Sequence, residues 1–219
     1  MARFTGRLAW VAVLVAGFAV VGRAQIRKKS NTAASARRVT LAQISEGKAQ
    51  GVRTAPIEIE DFTDFQCPAC RALYMQTLRP LIQKYVSTGK VYLVHHDFPL
   101  PEHPYSHKAA YYADAAAAIG RFGPVEDVLF TQQPKWAING NILPVLATVL
   151  SPGQLREVEQ LAKTPEVQDA VQRDFNLGMG LDVRETPTMF ITYKGKRVPV
   201  IGVISFPVLQ RYLDALLRQ

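Results

Sequence analysis

The stretch Ile57-Glu58-Ile59-Glu60-Asp61-Phe62-Thr63-Asp64-Phe65-Gln66-Cys67-Pro68-Ala69-Cys70 decides how the rest of the chain is read. Apolar and polar residues alternate from Ile57 and end in Phe62 and Phe65, the pattern of a strand with one face in a core. Cys67 and Pro68 then open a helix, since proline suits the first helical position, where its missing N–H costs nothing. Leu73, Tyr74, Leu78, Leu81, Ile82 and Tyr85 keep the three-to-four spacing of a buried stripe. Pro80 predicts a kink or a split in this helix, and Gly89 predicts its end.

Cys67 and Cys70 are the only two cysteines in the 219 residues. A stapling disulfide stabilises by closing a long loop, and so short a loop gains little of that kind. Chemistry explains the pair better. At the N-cap of a helix the Cys67 sulfur meets unpaired backbone N–H groups and the positive end of the helix dipole, and both favour thiolate over thiol. Cysteines so placed have pKa values drawn from ~8.5 to as low as ~3.5, which also makes them good leaving groups. Cys70, one turn on, faces the same side and is near enough to close a disulfide. It is expected to be the less exposed, resolving thiol.

Zinc sites use the same C-x-x-C spacing, and His103 and His107 stand four apart, so a metal reading is a rival. A cysteine that opens a helix after a core strand argues against it, because structural zinc pairs sit on tight knuckles. His95 and His96, at a strand end, read as packing or surface residues.

Outward from this centre, Val91 to Val94 begins a second strand, followed by the turn-rich Asp97-Phe98-Pro99-Leu100-Pro101. A long block without strand signals comes next. Lys108 to Ile119 and Pro124 to Gln132 read as helices, and Ile142 to Leu150 as a weaker one interrupted by Pro144. Ser151-Pro152 and Thr164-Pro165 each place a capping residue before a proline, and Ser151 with Gln154 matches the capping box. The last helix of the block carries Val167, Ala170, Val171 and Phe175 on one face, with Gly178 and Gly180 expected to end it. Thr188 to Tyr193 and Val198 to Ile201 flank Lys194-Gly195-Lys196 as a hairpin. An amphipathic helix over 205–217 closes the chain. The order predicts an α/β fold: a βαβ unit and a ββα unit sharing a mixed sheet, with an all-helical insert at about 103–178.

The N-terminal quarter differs in composition. Residues 1–24 have a basic start, an apolar run from Leu8 to Val21, and small residues around Arg23. They read as a signal peptide or an N-terminal anchor, and in either case the body of the protein is exported. Residues 25–56, set with basic and small polar side chains, read as a flexible tether. The formal charge of +8 is concentrated there: residues 1–56 hold ten Lys and Arg against Glu46 alone, which leaves residues 57–219 nearly neutral. A nucleic-acid binder carries its basic stripe on the folded domain, so nucleic acid is not an expected partner.

Phe62-Thr63-Asp64-Phe65-Gln66-Cys67-Pro68-Ala69-Cys70 resembles the active-site strand and helix of the DsbA-like thiol:disulfide oxidoreductases, a branch of the thioredoxin superfamily. Asp97-Phe98-Pro99-Leu100, His103-Pro104 and Thr186-Pro187-Thr188 are similar to further landmarks of that family, in its order. The resemblance spans about 57–217 and implies a thioredoxin-like fold, no cofactor, and an exchange reaction on proteins. It makes Cys67 the substrate-linked cysteine and Cys70 the resolving one. Asp61 matches a buried carboxyl that relays the resolving thiol's proton, and burial raises such a group's pKa toward the range the task needs; the rival is an edge-strand Asp facing water. Thr186-Pro187 matches a cis-proline loop whose backbone pairs with an extended substrate. Ala69 departs from the family's strongest oxidants, which carry a His there, so a less stabilised thiolate is expected.

The resemblance further implies donation of the Cys67–Cys70 disulfide to reduced or misoxidised proteins outside the cytoplasm, with reoxidation by a quinone-linked membrane partner. A reductase or isomerase would run the same chemistry differently, but isomerases carry a dimerisation domain in front. The 32 residues from 25 to 56 are short and polar for one, which favours a monomer. A binding or chaperone module with incidental cysteines belongs to another class, and Cys67→Ser would leave its activity intact.

Overall fold

The computed structural model describes residues 1–2 and 39–219. The signal or anchor expected over 1–24 and the tether up to residue 38 lie, from residue 3 onward, outside the described residues. Chain order is α1 (Leu41–Gly47), β1 (Ala49–Gln50), β2 (Ile57–Thr63), α2 (Pro68–Leu73), α3 (Arg79–Leu81), β3 (Val91–Asp97), α4 (Ser106–Ala118), α5 (Phe122–Thr131), α6 (Gln133–Trp136), α7 (Leu143–Leu146), α8 (Pro152–Leu161), α9 (Pro165–Gly180), β4 (Thr188–Tyr193), β5 (Lys196–Ile201) and α10 (Phe206–Leu217). The five strands form one mixed sheet in the order β1-β3-β2-β4-β5, with β2 and β3 parallel and every other pair antiparallel. The α/β expectation holds, and α4 to α9 make up the helical insert.

Alternation in β2 sorts its side chains between two packed faces. Ile57 and Ile59 are fully buried with Leu73, Leu81 and Tyr85 and with Leu209 and Leu213 of α10. Asp61 follows on the same face and is 2% exposed, so it is a core carboxyl on the central strand, not an edge residue in water. Phe62 turns to the opposite face and joins Phe98, Val183 and Phe190, with Phe175 of α9 packed against them.

Pro80 neither splits the helix nor leaves it regular. α2 and α3 are joined by the π-helical turn Tyr74–Leu78, and α3 is followed by another, Ile82–Val86. A wider turn relieves the clash between a proline ring and the preceding carbonyls while the chain keeps its direction. In the hairpin, Tyr193 pairs with Lys196, and Lys194 and Gly195 both take positive φ, 46° and 76°. That two-residue turn matches the strand twist.

Two expectations need correction. The tether read over 25–56 is structured from residue 41: α1 has a complete capping box between Thr40 and Gln43, and β1 pairs with β3. Local polarity concealed a segment held by Lys48, which is 2% exposed and ion-paired with Asp97, Asp114 and Asp174 at 2.7, 2.8 and 2.5 Å. Gly178, in turn, does not end α9. The helix runs on to Gly180, and a Cβ at Gly178 would stand 2.6 Å from the Phe98 ring and 3.0 Å from Phe62. The residue is there for close approach of helix to sheet.

Candidate active site

β2 delivers the chain to Cys67, which is the N-cap of α2 in an extended conformation, with Pro68 opening the helix. Both cysteines are free thiols; Cys67 is 6% exposed and Cys70 1%. The Thr186–Pro187 peptide is cis, and the Thr186 carbonyl oxygen lies 3.6 Å from the Cys67 sulfur. Chain segments 119 residues apart thus meet at one sulfur. Gln133 of α6 donates from one amide nitrogen to the carbonyls of Phe65 and Cys67, at 2.7 and 3.0 Å. It ties the helical insert to the turn that carries the nucleophile.

The two sulfurs are electrostatically unequal. A hydrogen bond from the Cys70 thiol is the largest influence lowering the Cys67 pKa; burial opposes it, and the amides of Cys70 and Ala69 and the Thr186 side chain add to the lowering. The result is about 6, so Cys67 is mostly thiolate at neutral pH. Burial pushes the Cys70 thiol well above its usual value, and the neighbouring Cys67 charge pushes it further. One sulfur is ready to leave or attack, and the other holds its proton.

Asp61 shares the buried face beneath α2. Burial is the main cause that raises its carboxyl to about 7; the Glu126 charge adds to the rise, while His95 and His96 pull it down. Its Oδ1 is buried without a hydrogen-bond partner, as a carboxyl that keeps a proton in this range would tolerate better than a permanent carboxylate. Among the site residues expected from sequence, the structure brings Cys67, Cys70 and Thr186 into direct contact, and Pro187 follows in the same loop.

Sequence reasoning missed the polar groups around Asp61. His95, expected as packing or surface, is 3% exposed between Glu126 and Asp97, each 3.2 Å away. Burial alone would depress its pKa, but those two carboxylates raise it to about 10, so it is an imidazolium at neutral pH. His96 is held by Asp174 and Glu60. Gln133 also carried no local signal. The spacing of His103 and His107 does not put two ligands on a helix face: His103 lies in the turn before α4, and its Nδ1 is 2.7 Å from Asp64. Among the described residues, no group of three or more His, Cys, Asp or Glu is placed to hold a metal.

Comparison with known proteins agrees with this geometry. The family model described as Thioredoxin matches residues 44–213. A probable disulfide bond formation protein D of Bacillus anthracis is 24% identical over 154 residues, covering 64% of this chain and 67% of that protein. Among solved structures, alpha-DsbA1 of Wolbachia pipientis superposes with a TM-score of 0.67 at 21% identity, covering 77% of this chain and 89% of the other. Oxidised BdbD of Bacillus subtilis superposes with a TM-score of 0.65 at 18% identity, covering 80% and 95%. The chain belongs to the thioredoxin family, in its DsbA-like branch of thiol:disulfide oxidoreductases.

Proposed function

We propose that Cys67 and Cys70 form the working disulfide of a protein oxidant outside the cytoplasm, and that it acts on reduced or misoxidised polypeptides. A substrate thiolate attacks the Cys67 sulfur of the disulfide, and the Cys70 sulfur leaves. Asp61, protonated through half of its range at neutral pH, supplies the proton that Cys70 then holds. A second substrate thiolate attacks the substrate sulfur of the mixed disulfide and expels Cys67 as thiolate. The substrate has lost two electrons and the protein has gained them. Thr186 offers its backbone to an extended substrate beside Cys67, in the manner of strand addition. A quinone-linked membrane partner would return the dithiol to disulfide.

The observation that carries this direction is the stabilised Cys67 thiolate. Donors that favour the thiolate stabilise the reduced form, and so make the disulfide a stronger oxidant. Its pKa of about 6 falls between the ~7 of thioredoxin and the ~3.5 of DsbA, in keeping with Ala69 at the position of an extra donor. The test is the reduction potential of Cys67–Cys70, equilibrated against glutathione buffers. A value of about −120 to −180 mV supports an oxidant, and one near or below about −270 mV makes the protein a reductant and overturns the proposal.

A further inference from the structure

Asp64 touches both cysteines through its main chain. Its N–H donates to the Cys70 sulfur at 3.4 Å, and its carbonyl accepts the Cys67 N–H at 3.1 Å. The side chain of the same residue is buried and held at both oxygens. Oδ1 accepts the Gln66 N–H at 2.7 Å. Oδ2 accepts the Leu100 N–H at 2.9 Å and lies 2.7 Å from His103 Nδ1. Its carboxylate is 0% exposed, whereas His103 is 19% exposed, so His103 is the member of the pair that faces outward.

A buried carboxylate requires donors, and the position of Asp64 is set by where they stand. Gln66 N is local to the turn. Leu100 N and His103 belong to the segment after β3, so they fasten the turn to a separate part of the chain. Gln66 strengthens the attachment, since its side chain accepts the Tyr105 N–H at 2.7 Å and donates to the Ala137 carbonyl at 2.8 Å. His103 is the side-chain donor in this arrangement that no main-chain geometry supplies. Without it, Asp64 Oδ2 keeps one donor, and the carboxylate is drawn toward water and away from the cysteines.

We propose that His103 is a positioning residue for the dithiol: through Asp64 it holds the peptide groups that contact Cys67 and Cys70, and so sets the balance between dithiol and disulfide. This deepens the oxidoreductase reading and rests on it. Losing His103 loosens the turn: the Asp64 amide would no longer be held against the Cys70 sulfur, nor its carbonyl against the Cys67 N–H. The donors arranged around the Cys67 thiolate are then less well placed, which weakens the reduced form.

The experiment measures the equilibrium in which oxidised protein and two glutathione thiols give the dithiol protein and glutathione disulfide, together with the pH dependence of Cys67 alkylation. Wild-type protein, H103A and H103N are compared in the full chain. In H103A the equilibrium constant is expected to fall roughly tenfold, which is about 30 mV for this two-electron couple, and the Cys67 alkylation midpoint is expected to rise. Asn places an amide N–H close to where Nδ1 stands, so H103N is expected to stay within about twofold of wild type. A purely structural His103 would lower thermal stability in H103A without moving either readout, and that result overturns the proposal. If H103A does not fold, H103Q replaces it. Glutamine puts its amide near the Nε2 position, out of reach of Asp64, and the same fall is expected. Wild-type protein that fails to exchange with glutathione would instead overturn the oxidoreductase reading, so the two failures are distinguishable.

Discussion

Asp61 on β2 and His95 on β3 are register partners across the one parallel pair of the sheet, and both are buried. Their separate surroundings set them apart. His95 has two carboxylates and is a fixed cation, while Asp61 has no hydrogen-bond partner for Oδ1 and titrates near neutrality. The imidazolium keeps the Asp61 pKa from rising further, which leaves a carboxyl that exchanges its proton near neutral pH, as the proposed relay requires.

Asp61→Asn should therefore stabilise the protein at alkaline pH and slow its chemistry. A carboxyl raised from 3.8 to about 7 binds more protons folded than unfolded between those values, so stability falls as pH rises through that window and stays low above it. The full loss is of order 4 kcal/mol. Urea unfolding at pH 8.5 should show a gain of a few kcal/mol for the variant, shrinking to nothing near pH 4. Reduction of the disulfide should slow at least several-fold. Equal rates would leave the Asp61 proton without a role.

Cys67 and Cys70 should be separable by trapping. With Cys70→Ser, mixed disulfides between Cys67 and substrate protein should accumulate, visible as reducible bands on a gel, and with Cys67→Ser there should be none. Alkylation of reduced wild-type protein by iodoacetamide should titrate with a midpoint near pH 6. A midpoint at 8 or above would contradict the thiolate assigned to Cys67.

Ala69→His restores a donor beside the Cys67 thiolate. One hydrogen bond to a charged group contributes about 1.5–3 kcal/mol, so the reduction potential should rise by roughly 30–60 mV. An unchanged potential would mean that the amides and the Cys70 thiol already saturate the sulfur.

Lys48→Met removes the cation from Asp97, Asp114 and Asp174. Breaking a buried ion cluster by deleting one partner costs about 3–5 kcal/mol, and the midpoint of chemical unfolding should fall accordingly. A loss below about 1 kcal/mol would show that Asp114, whose pKa is raised mainly by burial, holds the cluster together as a neutral acid.

These cases mark where sequence is informative. β2, the helix at Cys67 and the β4–β5 hairpin were legible because alternation, caps and turn residues act over a few positions. The capping box at Ser151 and Gln154 was legible for the same reason. The same signature at Thr40 and Gln43 is masked by the polar and basic residues around it. What makes that region part of the fold is Lys48, whose partners lie 49 and more residues away. His95 with Glu126, and Gln133 with Cys67, are likewise meetings that topology makes and no local pattern announces. Cys67 and Cys70 were legible from their spacing and the helix they open, whereas Asp61 and the Thr186–Pro187 loop came from the family resemblance.

The outermost strands bear on the company this protein keeps. β1 is two residues long, and β5 carries Pro199 with Lys196 and Arg197 along a largely exposed edge. Proline cannot donate to a growing ladder, short strands offer little to extend, and charged edges repel recruits. Unfolded polypeptides, the proposed substrates, are the species most prone to add themselves to an open sheet and seed aggregates. With both borders of the described sheet blunted, such chains find little edge to extend, and the proposed docking at the Thr186 turn would face less competition from the sheet's rim.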